Sequence, residues 1–256
     1  MNRRTLVAAV SRSGIGVHTG EPAEITLAPA PFGTGIRFVT ERGEIPATLA
    51  HARAEPGCTV LSTGSARVLT PEHLLAAVAA LGLTDVRIAL RGPEVPAMDG
   101  SAGPWVDAID EAGRADGPAL IPFSPSAEAR VDGFGGWATL GPGASLSVEV
   151  AFDGGPTGTL RVPATEDAFR TEIAWARTFV RAVDVERLRA AGRGRGATAE
   201  NTVVWPGSAL RSADEPVRHK LLDAWGDLAL LGPCRVALHV VRGSHALHHA
   251  VLSACG

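Results

Sequence analysis

The chain has no tyrosine, no glutamine and a single lysine, Lys220, among its 24 basic residues. The other basic residues are all arginine, an imbalance that GC-rich coding produces. It makes the one compact ammonium worth locating, because Arg and Lys are not interchangeable where a point charge is needed. Cysteine is scarce too. Cys58, Cys234 and Cys255 are odd in number, far apart and without a CxxC pair. That excludes a disulfide framework and suits a reducing, cytoplasmic setting. Long apolar runs are missing: the longest, Leu74 to Leu83, falls far short of the ~20 residues that span a bilayer. A positive surplus is missing as well, since the net charge is −3. A nucleic-acid partner, which wants a basic surface, is therefore not expected. The apolar stretch Leu6 to Val10 is shorter than the ~7–15 residues of a secretion signal and is read as a first strand.

What is present points to a packed enzyme-sized chain. Its 256 residues are 45% hydrophobic and 20% charged, enough for a core and wrong for disorder. Strand-like runs come first, at Leu6–Val10, Ala23–Leu27 and Gly35–Val39, between Gly/Pro/Thr turns. Thr70, Pro71 and Glu72 then read as cap, first helical residue and dipole partner of a helix ending at Gly82. A strand over Thr84–Leu90 and a helix over Pro104–Ala112 follow, and the Gly/Pro-rich stretch 113–126 reads as a linker. The second half repeats the order. Strands are expected at Ala127–Val131, Trp137–Leu140, Ser145–Phe152 and Thr159–Val162, and helical segments at Glu166–Ile173 and Val183–Ala191. A long helix from about Glu215 to Leu231 is capped by Asp214, with Pro216 in its first turn. Val236–Val241 is a strand and His245–Ser253 a last helix. The fold class is α+β: two similar domains, residues 1–112 and 127–256, each a mostly antiparallel sheet with helices.

The long helix carries the clearest chemistry. His219, Asp223 and Asp227 lie at i, i+4 and i+8, so they stack along one face. Such a stripe on a helix otherwise built of Leu221, Leu222, Trp225 and Leu228 is costly unless the charges are paired or bound to metal. An imidazole and a carboxylate one turn apart can share a Zn²⁺. The plain alternative is a solvated face with an i,i+4 pair worth a few tenths of a kcal/mol. Glu72-His73 opens the earlier helix. Neighbouring helical residues point about 100° apart, so His73 can ligate while Glu72 reaches a water beside the metal; the alternative is dipole partner and surface residue. His245 ends the loop Arg242-Gly243-Ser244, and His248 and His249 behind it are read as surface. Two histidines and a carboxylate suit both zinc hydrolases and non-haem Fe²⁺ oxygenases, so residue types alone leave the metal open.

These pieces stand in an order that resembles one family. Gly14-Ile15-Gly16-Val17-His18-Thr19-Gly20, Leu69 to Ala77, Gly92-Pro93-Glu94-Val95-Pro96 with Met98 to Ser101, Ala176-Arg177-Thr178-Phe179, Asp214 to Asp227 and Ser244 to Leu247 together resemble the zinc-dependent UDP-3-O-acyl-N-acetylglucosamine deacetylases of lipid A synthesis. The resemblance implies two α+β domains with helical layers packed between two sheets and the site in the cleft. It implies one Zn²⁺ per chain (Fe²⁺ in vivo is an option) on His73, His219 and Asp223, Glu72 as general base, and His245 as an imidazolium serving the leaving amine. Asp227 would keep His245 charged, Thr178 would donate to the oxyanion, and Lys220 and Phe179 would meet the substrate. That substrate is a nucleotide-sugar lipid precursor, and the implied enzyme is a monomer. The chain departs from the pattern at Gly243-Ser244, His248-His249 and Pro216. It also looks shorter around Phe152 to Gly158, where the family's insert helps form the acyl passage. A shallower passage built from Val148 to Val162 is therefore expected. The alternatives are the same chemistry on another N-acyl amino sugar or a shorter-acyl substrate, and a catalytically silent metal-binding relative.

Overall fold

The computed structural model describes residues 1–255. Two five-stranded sheets share one strand order. In space the first runs Val10–Ile15, Pro22–Pro29, Val86–Arg91, Ile36–Thr40 and Gly43–Pro46. The second runs Ala129–Gly133, Gly136–Pro142, Val236–Val241, Ser145–Ala151 and Thr157–Pro163. In each, the central strand comes last in sequence and makes the only parallel pairing, on one side; its other neighbour and the outer pairs are antiparallel. The halves are thus the same α+β unit twice. Period-2 patterning buries one face of each sheet, with Ala23, Ile25 and Leu27 in the first and Val236, Leu238 and Val240 in the second.

The described residues form six α-helical segments: α1 (Glu72–Ala80), α2 (Gly103–Ala112), α3 (Glu166–Ala168), α4 (Val185–Ala190), α5 (Glu215–Leu228) and α6 (His245–Ser253). Helix α2 lies beside the first sheet, α5 and α6 lie against the second, and α1 packs on α5. That last contact positions the site. A Cβ at position 226 would stand 2.1 Å from the Glu72 carbonyl oxygen, so only glycine lets α5 meet the first turn of α1 so closely. No helix among the described residues is long and apolar enough to cross a membrane.

Several expectations are revised. Residues 7–9 are not strand: the chain bends there between strands Asn2–Leu6 and Val10–Ile15. The stretch 113–126 is not all linker, because Arg114–Ala119 pairs antiparallel with Asn2–Leu6. Thr70 is not a cap. Pro71 holds that position, and Thr70 sits at φ 53° with its hydroxyl donating to the Leu69 carbonyl and toward Glu94. Asp214 occupies the N-cap of α5 without a capping side-chain bond and instead accepts from Arg218 and Ser212. A three-stranded meander over Ala52–Glu55, Cys58–Thr63 and Ala66–Leu69 was not expected.

Candidate functional site

Helices α1, α5 and α6 bring His73, His219, Asp223, Glu72, Asp227 and His245 into one cluster, half-buried at His73 and buried at the other five. His73 Nε2 lies 3.1 Å from His219 Nε2. Asp223 Oδ1 lies 3.5 Å from the first and 3.4 Å from the second. Ligands held at about 2.0–2.2 Å around a tetrahedral centre stand roughly 3.3–3.5 Å apart, so this triangle has the edges of a metal site. Its chemistry agrees. Burial holds the His219 imidazole down to about 3, so it is neutral with a lone pair to give. Burial works against charge on Asp223, but His219, the Lys220 ammonium and a hydrogen bond from His73 outweigh it, and the carboxyl sits well below its usual range. The described residues contain a second His/Asp group, Asp227 with His245 and His248. There the N···O separations are 2.6 and 2.7 Å, which are hydrogen bonds and too short for edges about a metal.

Glu72 opens α1 with its carboxyl buried beside His73. Burial pushes it up to about 7, with the charges of His245 and His73 opposing. A base poised near neutrality is what proton abstraction from water needs. Across the cleft, His245 Nε2 is 4.0 Å from Glu72 Oε1 and His245 Nδ1 donates to Asp227 Oδ2 at 2.6 Å. Burial disfavours the imidazolium, yet Asp227 lifts it to about 9. Base and acid are therefore set apart in the productive order. Asp227, fully buried, is kept anionic by His245 and by bonds from His248 and His249 that outweigh its desolvation.

Thr178 lines the cavity with its backbone pinned on both sides, its N–H to the Gly100 carbonyl and its carbonyl to the Val203 N–H. Arg177 before it is locked to the fully buried Glu215 through Nε at 2.9 Å and Nη2 at 3.1 Å. Phe179 stands edge-on to His219, centroids 5.6 Å apart. The Lys220 ammonium reaches one turn ahead along α5 to donate to Asp223 Oδ2 at 2.8 Å, and its side chain lines a second pocket.

One hollow opens on this cluster, and a second adjoins it through Lys220. The larger, about 390 Å³, touches Glu72, His73, His219 and Asp223. Its apolar walls include Val180, Val185, Leu188, Ala199 and Val204, from the segment between Thr178 and Ser208, together with Val17, Val95 and Trp105 from the first half. None of the lining comes from Val148 to Val162, which form a plain hairpin turning at Phe152 to Pro156. The expected wall is corrected accordingly. The smaller pocket, about 250 Å³, gathers Lys220, Arg181 and Arg242 beside Phe152. Sequence reasoning gave neither arginine a role, though Arg242 opens the loop that ends in His245. It also missed Thr59, whose hydroxyl donates to Asp227 Oδ1 at 2.5 Å. His248 and His249 are not surface residues: both pack onto Asp227. Their spacing of three and four from His245 was the available signal.

Residues 3–255 match the LpxC family model, UDP-3-O-acyl N-acetylglycosamine deacetylase. Similar proteins include the UDP-3-O-acyl-N-acetylglucosamine deacetylase of Thermosynechococcus vestitus, 40% identical over 260 residues that cover 96% of this chain and 91% of that one. The protein of the same name from Anaeromyxobacter sp. strain Fw109-5 is 41% identical over 268 residues, covering 98% and 87%. That from Brucella ovis is 36% identical over 269 residues, covering 98% and 94%.

Proposed function

Because this chain belongs to the UDP-3-O-acyl N-acetylglycosamine deacetylase family, we propose that it hydrolyses the N-acetyl amide of UDP-3-O-acyl-N-acetylglucosamine in lipid A synthesis, releasing acetate and the free amine. The observation that carries the reading is the triangle of His73, His219 and Asp223, with Glu72 and His245 both at its side. We assign one zinc per chain to those three residues; the same donors accept Fe²⁺. When bound, the metal supplies a Lewis acid for the carbonyl and lowers the proton affinity of water, the two needs of linear-amide hydrolysis.

The protein residues do the rest. Glu72 takes a proton from the attacking water as its oxygen bonds to the carbonyl carbon. Thr178 donates its hydroxyl to the carbonyl oxygen as negative charge grows there. His245, held as imidazolium by Asp227, gives its Nε2 proton to the nitrogen as the C–N bond breaks. Phe179 packs the His219 ring into place. Lys220, Arg181 and Arg242, which outnumber the single carboxylate of their pocket, Asp153, receive the diphosphate. The apolar wall from Val180 to Val204 takes the 3-O-acyl chain. The three cysteines are unpaired, which fits a reducing compartment, and we place the enzyme in the cytoplasm.

Metal analysis paired with kinetics tests the assignment. His73→Ala, His219→Ala and Asp223→Ala each lose zinc and activity together. Glu72→Gln keeps the zinc and loses most of the rate. Full zinc occupancy in His219→Ala would overturn the ligand set.

A further inference from the structure

On α6, His245, His248 and His249 follow at i, i+3 and i+4 and share one face. All three converge on Asp227. Its Oδ2 is 2.6 Å from His245 Nδ1 and 2.7 Å from His248 Nδ1. Its Oδ1 takes the Thr59 hydroxyl, and His249 Nε2 stands 3.1 Å from that hydroxyl oxygen and 3.3 Å from Oδ1. Two ring nitrogens on one carboxylate oxygen must both be N–H donors, since that oxygen has only lone pairs to offer. The His248 proton therefore sits on Nδ1. Its Nε2 is buried without a partner. A lone pair is tolerated there, whereas a second proton would be a buried donor with no acceptor. His248 is thus a fixed, neutral donor, and it lines neither hollow.

We propose that His248 is a positioning residue for this reaction: its Nδ1–H, with the Thr59 hydroxyl on the other oxygen, locks the Asp227 carboxylate in the rotation that keeps His245 aimed at Glu72, and Gly243 is the residue that makes room for it. Without His248, Oδ2 keeps only the His245 N–H, and the carboxylate can tilt about its Cβ–Cγ bond and carry that ring with it. The space argument is independent. A Cβ at position 243 would lie 2.9 Å from His248 Nε2 and 2.6 Å from Val240 Cγ1, so no side chain fits there while the ring is in place. Ser244 then caps α6, accepting from the Leu247 N–H. The inference rests on the reading of His245 as the acid, and its test is separable from that reading.

The experiment is ¹⁵N-histidine NMR of the zinc-loaded enzyme with steady-state kinetics of two variants. In the wild type, His248 is expected as the Nδ1–H tautomer with a downfield, slowly exchanging proton. His248→Leu is expected to lower kcat about tenfold with KM unchanged and to shift the His245 Nδ1–H resonance. His248→Asn, which keeps an N–H at similar reach, recovers most of the rate. A His248 protonated on Nε2 instead, or a His248→Leu enzyme with wild-type kcat and an unmoved His245 resonance, would overturn the proposal. If His248→Leu does not fold, the wild-type tautomer decides alone. A wild-type enzyme that deacetylates nothing strikes the functional reading instead, and the tautomer still decides the role of His248.

Discussion

Replacing Asp227 by asparagine removes a charge from the site while keeping its shape. Burial alone would press His245 below its ordinary value, and the Asp227 carboxylate 2.6 Å away lifts it to about 9. In Asp227→Asn the desolvation remains and its chief opponent is gone, so His245 drops to about 6.5 or lower. At about pH 8 the imidazolium fraction then falls from roughly 0.9 to roughly 0.03, a thirtyfold loss equivalent to about 2 kcal/mol of barrier. The profile also changes shape. In the wild type, activity rises as Glu72 loses its proton near 7 and falls as His245 loses its own near 9, a bell. In the variant the descending limb moves below the ascending one, leaving a low, narrow maximum. The assay is kcat/KM across pH, with zinc content measured on the same samples. Zinc should be retained, because Asp227 lies outside the triangle of His73, His219 and Asp223. A descending limb still near 9, or zinc lost with the charge, would refute the reasoning.

Three further outcomes follow. Lys220→Ala should raise KM for the nucleotide sugar more than it lowers kcat, and should also weaken zinc binding modestly, since Asp223 loses its 2.8 Å partner; an unchanged KM would remove Lys220 from the substrate site. Leu188→Asp puts a charge in the wall of the larger hollow and should cut kcat/KM for long 3-O-acyl chains while sparing short ones, because each buried CH₂ contributes about 0.8 kcal/mol; equal losses for both would place the chain elsewhere. Glu215→Ala strands the Arg177 guanidinium, which among the described residues is held by Glu215 and the Ala209 carbonyl, and should lower stability by about 3–5 kcal/mol in denaturant unfolding; an unaltered midpoint would contradict that account.

The sequence makes the site more legible than the sheets. His219, Asp223 and Asp227 announce themselves because helical periodicity turns spacing into a face, and Pro71-Glu72 and Gly232-Pro233 punctuate the helices around them. Strands such as Val236–Val241 are visible by alternation. Others are not. Cys58–Thr63 begins with four buried residues in a row, so it shows no period of two. Arg114–Ala119 holds Gly and Pro that read as linker, and it becomes strand only because Asn2–Leu6 waits more than a hundred residues away; no local signal encodes such a pairing. Thr59 escapes notice because a threonine's importance here lies in what it touches. His248 and His249 showed the right spacing, but their burial depends on α6 docking onto the end of α5. Gly226 resembles any helical glycine until the Glu72 carbonyl is seen against it.

The most direct test of the central claim is mass spectrometry of UDP-3-O-acyl-N-acetylglucosamine incubated with the purified, zinc-loaded chain. The account predicts a product lighter by one acetyl group, one acetate per turnover, and no such product from Glu72→Gln at the same zinc content. An unchanged substrate with zinc bound to the wild type, or equal turnover by the Glu72→Gln enzyme, would contradict it.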